Sequence, residues 1–262
     1  MVIVADNIHI MNPMVAKAIR DLDPEPIKDI ARRCEDAGAK IIDINPGPLP
    51  KNGEKSMAFL VKAVQEVTNL RLSLDTGNPE NLEAGLRACQ RKPIINGFSL
   101  EPRKLKEILP LAVEFQTDIV GFLLSPDGQV PSNSEERLDI ALRLVEEAKR
   151  AGVSSERLII DPIVVPIIWE DGCRQAKEVL STLKLLPELL GFAVRTIVGL
   201  SNLTSGSPCR KKRLLLEEVY LSMLAESGLN MALLNVFHKR TVKVAGICDS
   251  IIGSRIFSWA EI

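Results

Sequence analysis

LRLSLDTGNPENLEAGLRAC, residues 70–89, reads as a short apolar strand stopping at Asp75, a polar turn, and a helix over Asn81 to Cys89 with Pro79 close to its start. The same unit recurs along the chain in both directions. VIVA leads to Asp6 and Asn7, KIIDIN carries Asp43 and Asn45, PIIN ends at Asn96, and DIVGFLL leads to Ser125. RLIID ends at Asp161, TIVGLSN at Ser201 and Asn202, and NMALLN at Asn235. Runs this short and this apolar suit parallel strands buried on both faces.

Helical periodicity fills the intervals: Pro24 to Ala37, Lys55 to Val67, Arg103 to Phe115, Ser134 to Ala151, Gln175 to Leu190, Arg213 to Ser227 and Arg240 to Ile252. Gly38, Gly152 and Gly228 stand where helices need a C-terminal cap. Eight strand–helix units with no segment left over predict an α/β fold closed as a (β/α)8 TIM barrel. The first junction, ADNIHIMNP, lacks the Gly-rich turn of an open dinucleotide-binding sheet. The 262 residues match the roughly 250 of such a barrel, so one domain over 1–262 is expected.

Composition narrows the function. With 33 Lys+Arg against 34 Asp+Glu, no general field exists for nucleic acid or an anionic membrane. Five scattered cysteines without a C-x-x-C pair argue against a disulfide framework and for the cytoplasm. The N-terminal run meets Asp6 too early for a signal peptide, and the apolar stretch from Leu158 to Trp169 is too short to span a bilayer. Only His9 and His238 are present, neither at metal-ligand spacing, so no protein-bound metal is expected. Both read as ordinary strand-end and helix-start residues, and no G-x-S-x-G elbow offers a hydrolytic nucleophile.

In a barrel the C-terminal strand ends converge on the active-site mouth. Singly, Asp43, Asn45, Asp75, Asn96, Asp161 and Asn202 are good turn formers; as a set they are a polar ring. Carboxylates and carboxamides pair with the amidine-like edge of a flat heterocycle such as a pterin, whereas a phosphate site would draw on GLSNLTSGSP after the seventh strand. The one dense basic run, CRKKR at Cys209 to Arg213, is either a solvated helix start or a mouth-side contact for an anionic tail or acidic partner.

At DINPGP (Asp43 to Pro48), LSLDTGN (Leu72 to Asn78), IIN (Ile94 to Asn96), IIDP (Ile159 to Pro162) and VGLSN (Val198 to Asn202), the chain resembles the methyltetrahydrofolate:corrinoid protein methyltransferases. Their pterin-binding barrel also occurs in cobalamin-dependent methionine synthase and dihydropteroate synthase. The resemblance covers essentially the whole chain. It implies that Asp75, Asn96 and Asp161 hold the pterin ring, and that Asn202 reaches N5 of the folate. Gly199 and Ser201 would shape the same loop, with Asp43 and Asn45 in the surrounding wall. The family's loop arginine corresponds to Arg210 by loop spacing and to Arg213 by helix spacing. The implied substrates are tetrahydrofolate or 5-methyltetrahydrofolate and a corrinoid carried by a partner protein, with a homodimer as the assembly. Methyl flow toward folate, as in an O-demethylase or related corrinoid system, is the expected setting.

The chain departs from the family at Asp6, Asn7, Ile8 and His9, where relatives carry an E-R-x-N element, and at Asn230, where they often carry Asp. These changes bear on partner docking and mouth shape. Two alternatives use the same pocket: a dihydropteroate synthase-like condensing enzyme, disfavoured because no lysine ends a strand, and a non-catalytic folate-binding scaffold for a corrinoid protein. A barrel acting on a small phosphorylated metabolite is the general fallback.

Overall fold

The computed structural model describes residues 1–47, 53–253 and 259; Pro48 of the DINPGP motif lies outside them. Eight parallel strands close in sequence order into a barrel: β1 (Val2–His9), β2 (Ile41–Asn45), β3 (Arg71–Asp75), β4 (Ile94–Phe98), β5 (Asp118–Phe122), β6 (Leu158–Asp161), β7 (Arg195–Gly199) and β8 (Met231–Leu234). Closure is made by β1 on β8, with Val2 opposite Met231 and Ala5 opposite Leu234.

The helices are α1 (Pro13–Asp21), α2 (Glu25–Asp36), α3 (Gly53–Gln65), α4 (Pro79–Ala88), α5 (Pro102–Glu107), α6 (Leu109–Glu114), α7 (Ser134–Ala151), α8 (Gly172–Leu190), α9 (Arg210–Glu226) and α10 (Lys239–Ile252). Asn78 caps α4 by accepting from the Asn81 amide, and Pro79 takes the first helical position, where its missing N–H costs nothing. Gly38, Gly152 and Gly228 all adopt the positive φ expected after a helix.

Three expectations are corrected. A segment was left over after all: α1 is an extra helix, started by Asn12 and Pro13 and held by buried Val15, Ala18 and Ile19. The helix expected over Arg103 to Phe115 is two short ones, because Pro110 cannot donate to the Lys106 carbonyl and its ring crowds it. TIVGLSN is not strand throughout; β7 stops at Gly199 and residues Leu200–Thr204 form a 3-10 turn.

Two apolar layers organise the interior. Leu, Ile and Val from the outer strand faces pack under the helices, while Val4, Ile41, Ile94, Val120, Ile159, Ile197 and Met231 form a separate cluster on the barrel axis. Near the strand starts Asp118 accepts from Arg71 at 2.8 Å and from Arg195 at 2.9 Å, tying β3, β5 and β7 together.

Gly97 in β4 leaves no room for a side chain: a Cβ there would collide with the Val120 carbonyl oxygen on β5. We expect Gly97→Ala to destabilise the fold by about 1–3 kcal/mol, the usual cost of overpacking a core, as measured by urea unfolding. Unchanged stability would show that β4 and β5 part freely.

Candidate active site

Side chains on a strand alternate, so the residue two beyond each axial apolar residue is the next to face inward. Val4 is followed by Asp6, Ile41 by Asp43, Ile94 by Asn96, Val120 by Phe122, Ile159 by Asp161, Ile197 by Gly199 and Met231 by Leu233. Ser73 and Asp75 come from β3. Phe122 and Leu233 are half-buried against the axial cluster and form an apolar floor. The mouth is therefore a polar ring above a greasy base.

Within the ring some groups are tied and others are not. Asp43 is buried and its Oδ1 accepts from Ser73 Oγ at 2.6 Å and Asn96 Nδ2 at 3.1 Å, so it orients Asn96. Asn45 Nδ2 donates to Asp75 Oδ2 at 2.6 Å while its own Oδ1 accepts from the Gly47 amide, fixing the β2 loop and Asp75 together. Asp161 Oδ1 accepts from the Ile163 amide at 2.8 Å, with Ile163 turned to φ 63°. Asn96 Oδ1, Asp75 Oδ1 and Asp161 Oδ2 bond to nothing among the described residues. They are also absent from the buried unpartnered atoms, Arg137 Nη1 and Thr241 Oγ1, so they face open space.

Asn202 lies on the exposed side of the 3-10 turn, and its amide makes no hydrogen bond to a described residue. It folds over Gly199, where a Cβ would stand 2.9 Å from Nδ2. Ser201 donates to Asp6 Oδ2 at 3.4 Å, and Ile167 N–H donates to the Leu203 carbonyl, so the turn is pinned on both sides while its amide stays unspent.

Crowding these acids away from water raises their pKa values. Burial pushes Asp161 up to about 7, against the opposing Ile163 amide. Burial likewise lifts Asp75 to about 6, with Asn45 and then Lys104 opposing it. Asp6 reaches about 6 through burial, opposed by the Ser201 hydroxyl and reinforced by Glu217. Asp43 is raised well above the carboxylate range by burial and by the neighbouring Asp75.

Four groups come to the mouth without a clear sequence signal. Phe122 and Leu233 look like any apolar strand residue. Lys104 reaches in from α5, with Nζ 5.6 Å from the Phe122 ring centroid and 3.1 Å from Glu101. No strand ends in lysine, yet a helix supplies one near Asp75. Glu217, buried on α9, accepts from Thr204 at the end of the turn. Of the two candidate loop arginines, Arg213 Nε donates to Thr204 Oγ1 at 3.3 Å, while Arg210 is exposed at the start of α9. Behind the ring Arg137 is fully buried, donating to the Pro162 carbonyl at 3.1 Å and to Gln175 at 2.7 Å. Among the described residues, no three of His, Cys, Asp and Glu converge as a metal-ligand set.

A closed parallel barrel with this ring defines a pterin-binding barrel, and residues 12–235 match the pterin binding enzyme family, to which the chain belongs. It is 26% identical over 261 residues to a methylcorrinoid:tetrahydrofolate methyltransferase of Eubacterium limosum, covering 97% of this chain and 92% of that protein. A methionine synthase of Mycobacterium leprae is 25% identical over 222 residues; the match spans 81% of this chain and only 18% of that enzyme. Among solved structures, Yersinia pestis DHPS with a pterine–sulfa conjugate superposes with a TM-score of 0.68 at 18% identity, covering 88% of this chain and 90% of that one. At that identity the likeness speaks to the fold.

The raised acids make stability depend on pH in a stated direction. The folded pKa of Asp161 lies above its ordinary value of 3.8, so the stability it contributes is complete below about pH 4 and lost as pH rises through about 7. Asp161→Asn keeps an acceptor for Ile163 without the charge. We expect it to be more stable than wild type at pH 8 by about 2 kcal/mol, after discounting for exposure through the mouth, with the gain gone near pH 4. Thermal unfolding across that range checks it; a gain independent of pH would mean that the charge is not the cause.

Proposed function

We propose that the barrel holds a reduced folate by its pterin ring and moves a methyl group between N5 of tetrahydrofolate and a corrinoid carried by a partner protein. The observation that carries this reading is the set of unspent polar atoms on Asp75, Asn96, Asp161 and Asn202 around an apolar floor. The two carboxylates accept from the ring's amino and N–H groups, and the carboxamide completes the edge. Phe122 and Leu233 take its apolar face. Near-full coverage of a methylcorrinoid:tetrahydrofolate methyltransferase supports the reaction class.

In the direction of folate methylation, N5 attacks the methyl carbon, the bond to the partner's cobalt breaks with both electrons left on the metal, and N5 then sheds its proton to water. In reverse, N5 must be protonated or hydrogen-bonded before it can leave. The Asn202 amide serves both directions because it donates and accepts, and because nothing else in the turn occupies it. The remaining contribution is to position two bulky reactants. Among the settings for such a transfer, the altered element at Asp6 to His9 favours an O-demethylase or methylamine-type pathway delivering methyl groups to folate. The five free thiols suit a cytoplasmic enzyme.

One observation favours the condensing-enzyme reading: Lys104 stands near Asp75. Product formation from a pterin pyrophosphate is its readout. Binding without turnover would identify a scaffold.

Tetrahydrofolate and methylcobalamin mixed with the protein should yield cob(I)alamin, read by its absorption. Asn202→Ala should slow single-turnover transfer by about 10²–10³-fold while a binding titration changes far less, because only interactions stronger in the transition state accelerate a step. Equal losses would make Asn202 one more ring anchor.

We also propose that two copies pair through α8 and α9. Leu215, Val219 and Met223 recur every fourth residue on the outside of α9, where a surface helix should be polar, and Leu185 and Leu189 of α8 are exposed as well. Light scattering should give about twice the 28.8 kDa chain mass, and Val219→Asp should return it to the monomer value. A wild-type monomer would refute the pairing.

A further inference from the structure

A single peptide unit, Pro162–Ile163, lies between two ionisable side chains. Its carbonyl accepts from Arg137 Nε at 3.1 Å, and its N–H donates to Asp161 Oδ1 at 2.8 Å. The peptide is trans and planar, so its carbonyl and N–H point in opposite directions from one stiff plate. Turning the plate breaks both bonds at once.

Little else holds it. Pro162 has no N–H, and among the described residues 162–165 make no backbone–backbone hydrogen bond once β6 has ended at Asp161. Ile163 moreover stands at φ 63°, a left-handed conformation that a β-branched residue adopts only under constraint. Besides the packing of buried Val164 and Val165, that constraint comes from the Asp161 carboxylate on one edge of the plate and the Arg137 guanidinium on the other.

Arg137 is a costly group to use there. It is fully buried on α7, and its donors go to the Pro162 carbonyl and to Gln175 Oε1 at 2.7 Å, with Nη1 left unpartnered. Burial lowers its pKa, against the nearby Glu178, whose own carboxylate accepts from the Ser134 amide. An apolar side chain of the same size would avoid burying a cation. Its planar fork, however, reaches two acceptors from one fixed frame. The second acceptor, Gln175, is itself buried and donates to Asp171 Oδ2 at 3.0 Å at the start of α8. A chain of bonds thus runs from α8 through Arg137 and the plate to the acid at the mouth.

We infer that Arg137 is a positioning residue: through the Pro162–Ile163 peptide it fixes the plane of the Asp161 carboxylate, keeping Oδ1 on the Ile163 amide and aiming Oδ2 into the mouth. Asp161 as an anchor of the pterin ring rests on the proposed function, whereas its aim is set by the protein alone.

Arg137→Met keeps the length of the side chain while removing its charge and donors. In a crystal structure of that variant Ile163 should leave the left-handed region, and its amide should part from Asp161 Oδ1. Calorimetry should show tetrahydrofolate binding about ten-fold more weakly than to wild type, the scale of coupling between directly linked groups. In an Asp161→Ala background the same substitution should change affinity by less than about two-fold, because the carboxylate it aims is gone. A merely structural arginine gives a different pattern: the variant melts lower, yet affinity is unchanged or falls equally in both backgrounds. Either result overturns the inference, as does an unmoved Ile163. Should Arg137→Met fail to fold, Gln175→Leu frees the guanidinium without removing it. Its expected loss of affinity, about three-fold, should vanish without Asp161, and an equal loss in both backgrounds overturns the inference. A wild type that binds no folate overturns the proposed function, and the conformation of Ile163 in the variant still decides the role of Arg137.

Discussion

In a closed parallel barrel every second residue of a strand faces inward, alternate strands filling successive layers, and every feature of the mouth depends on that alternation. One step puts Val4, Ile41, Ile94, Val120, Ile159, Ile197 and Met231 on the axis, where only apolar groups fit. The next step puts Asp6, Asp43, Asn96 and Asp161 directly above them. The oily layer keeps water from the underside of the acids, and the acids open the top of the barrel to a ligand. A one-residue slip of any strand would turn its members of both sets outward, under the helices.

The arrangement is costly before a ligand arrives. Asp43, Asp75 and Asp161 are crowded into a site whose low polarity favours their neutral forms, and they are relieved by Ser73, Asn45, Asn96, the Ile163 amide and, for Asp75, the charge of Lys104. Arg137 adds a cation with one buried nitrogen unpaired, held by the carbonyl next to Asp161. Strain of this kind concentrates where a protein must present polar atoms ready-made. On the proposed reading, a flat ring with complementary donors would complete what the protein leaves open.

Much of this was legible from the chain. Asp75, Asn96 and Asp161 stand out as a set, because each ends a short apolar run and a barrel brings those strand ends together at one mouth. The strand alternation that places Phe122 and Leu233 in the floor is invisible in runs that are apolar throughout. Lys104 and Glu217 arrive from helices, whose rotation about the barrel is set by packing and not by local pattern. Arg137 is harder still, since a charged residue in an amphipathic helix reads as solvent-facing. The extra helix α1 carried an Asn-Pro start, but its nine residues were too few to stand out between two stronger elements.

The seam between the first and last strands ties the two ends of the chain into one site. Asn7 donates to Asn235 at 2.9 Å and accepts from the Val236 amide, and Asp6 meets Ser201 across nearly 200 residues of sequence. Such distant pairings form late, because the loop they close is long. On the ribosome, seven strands would wait with an open edge, and an incomplete mouth, until β8 emerged. The nascent chain therefore has no completed mouth to fill, and a ligand is of no help to folding until β8 has been made.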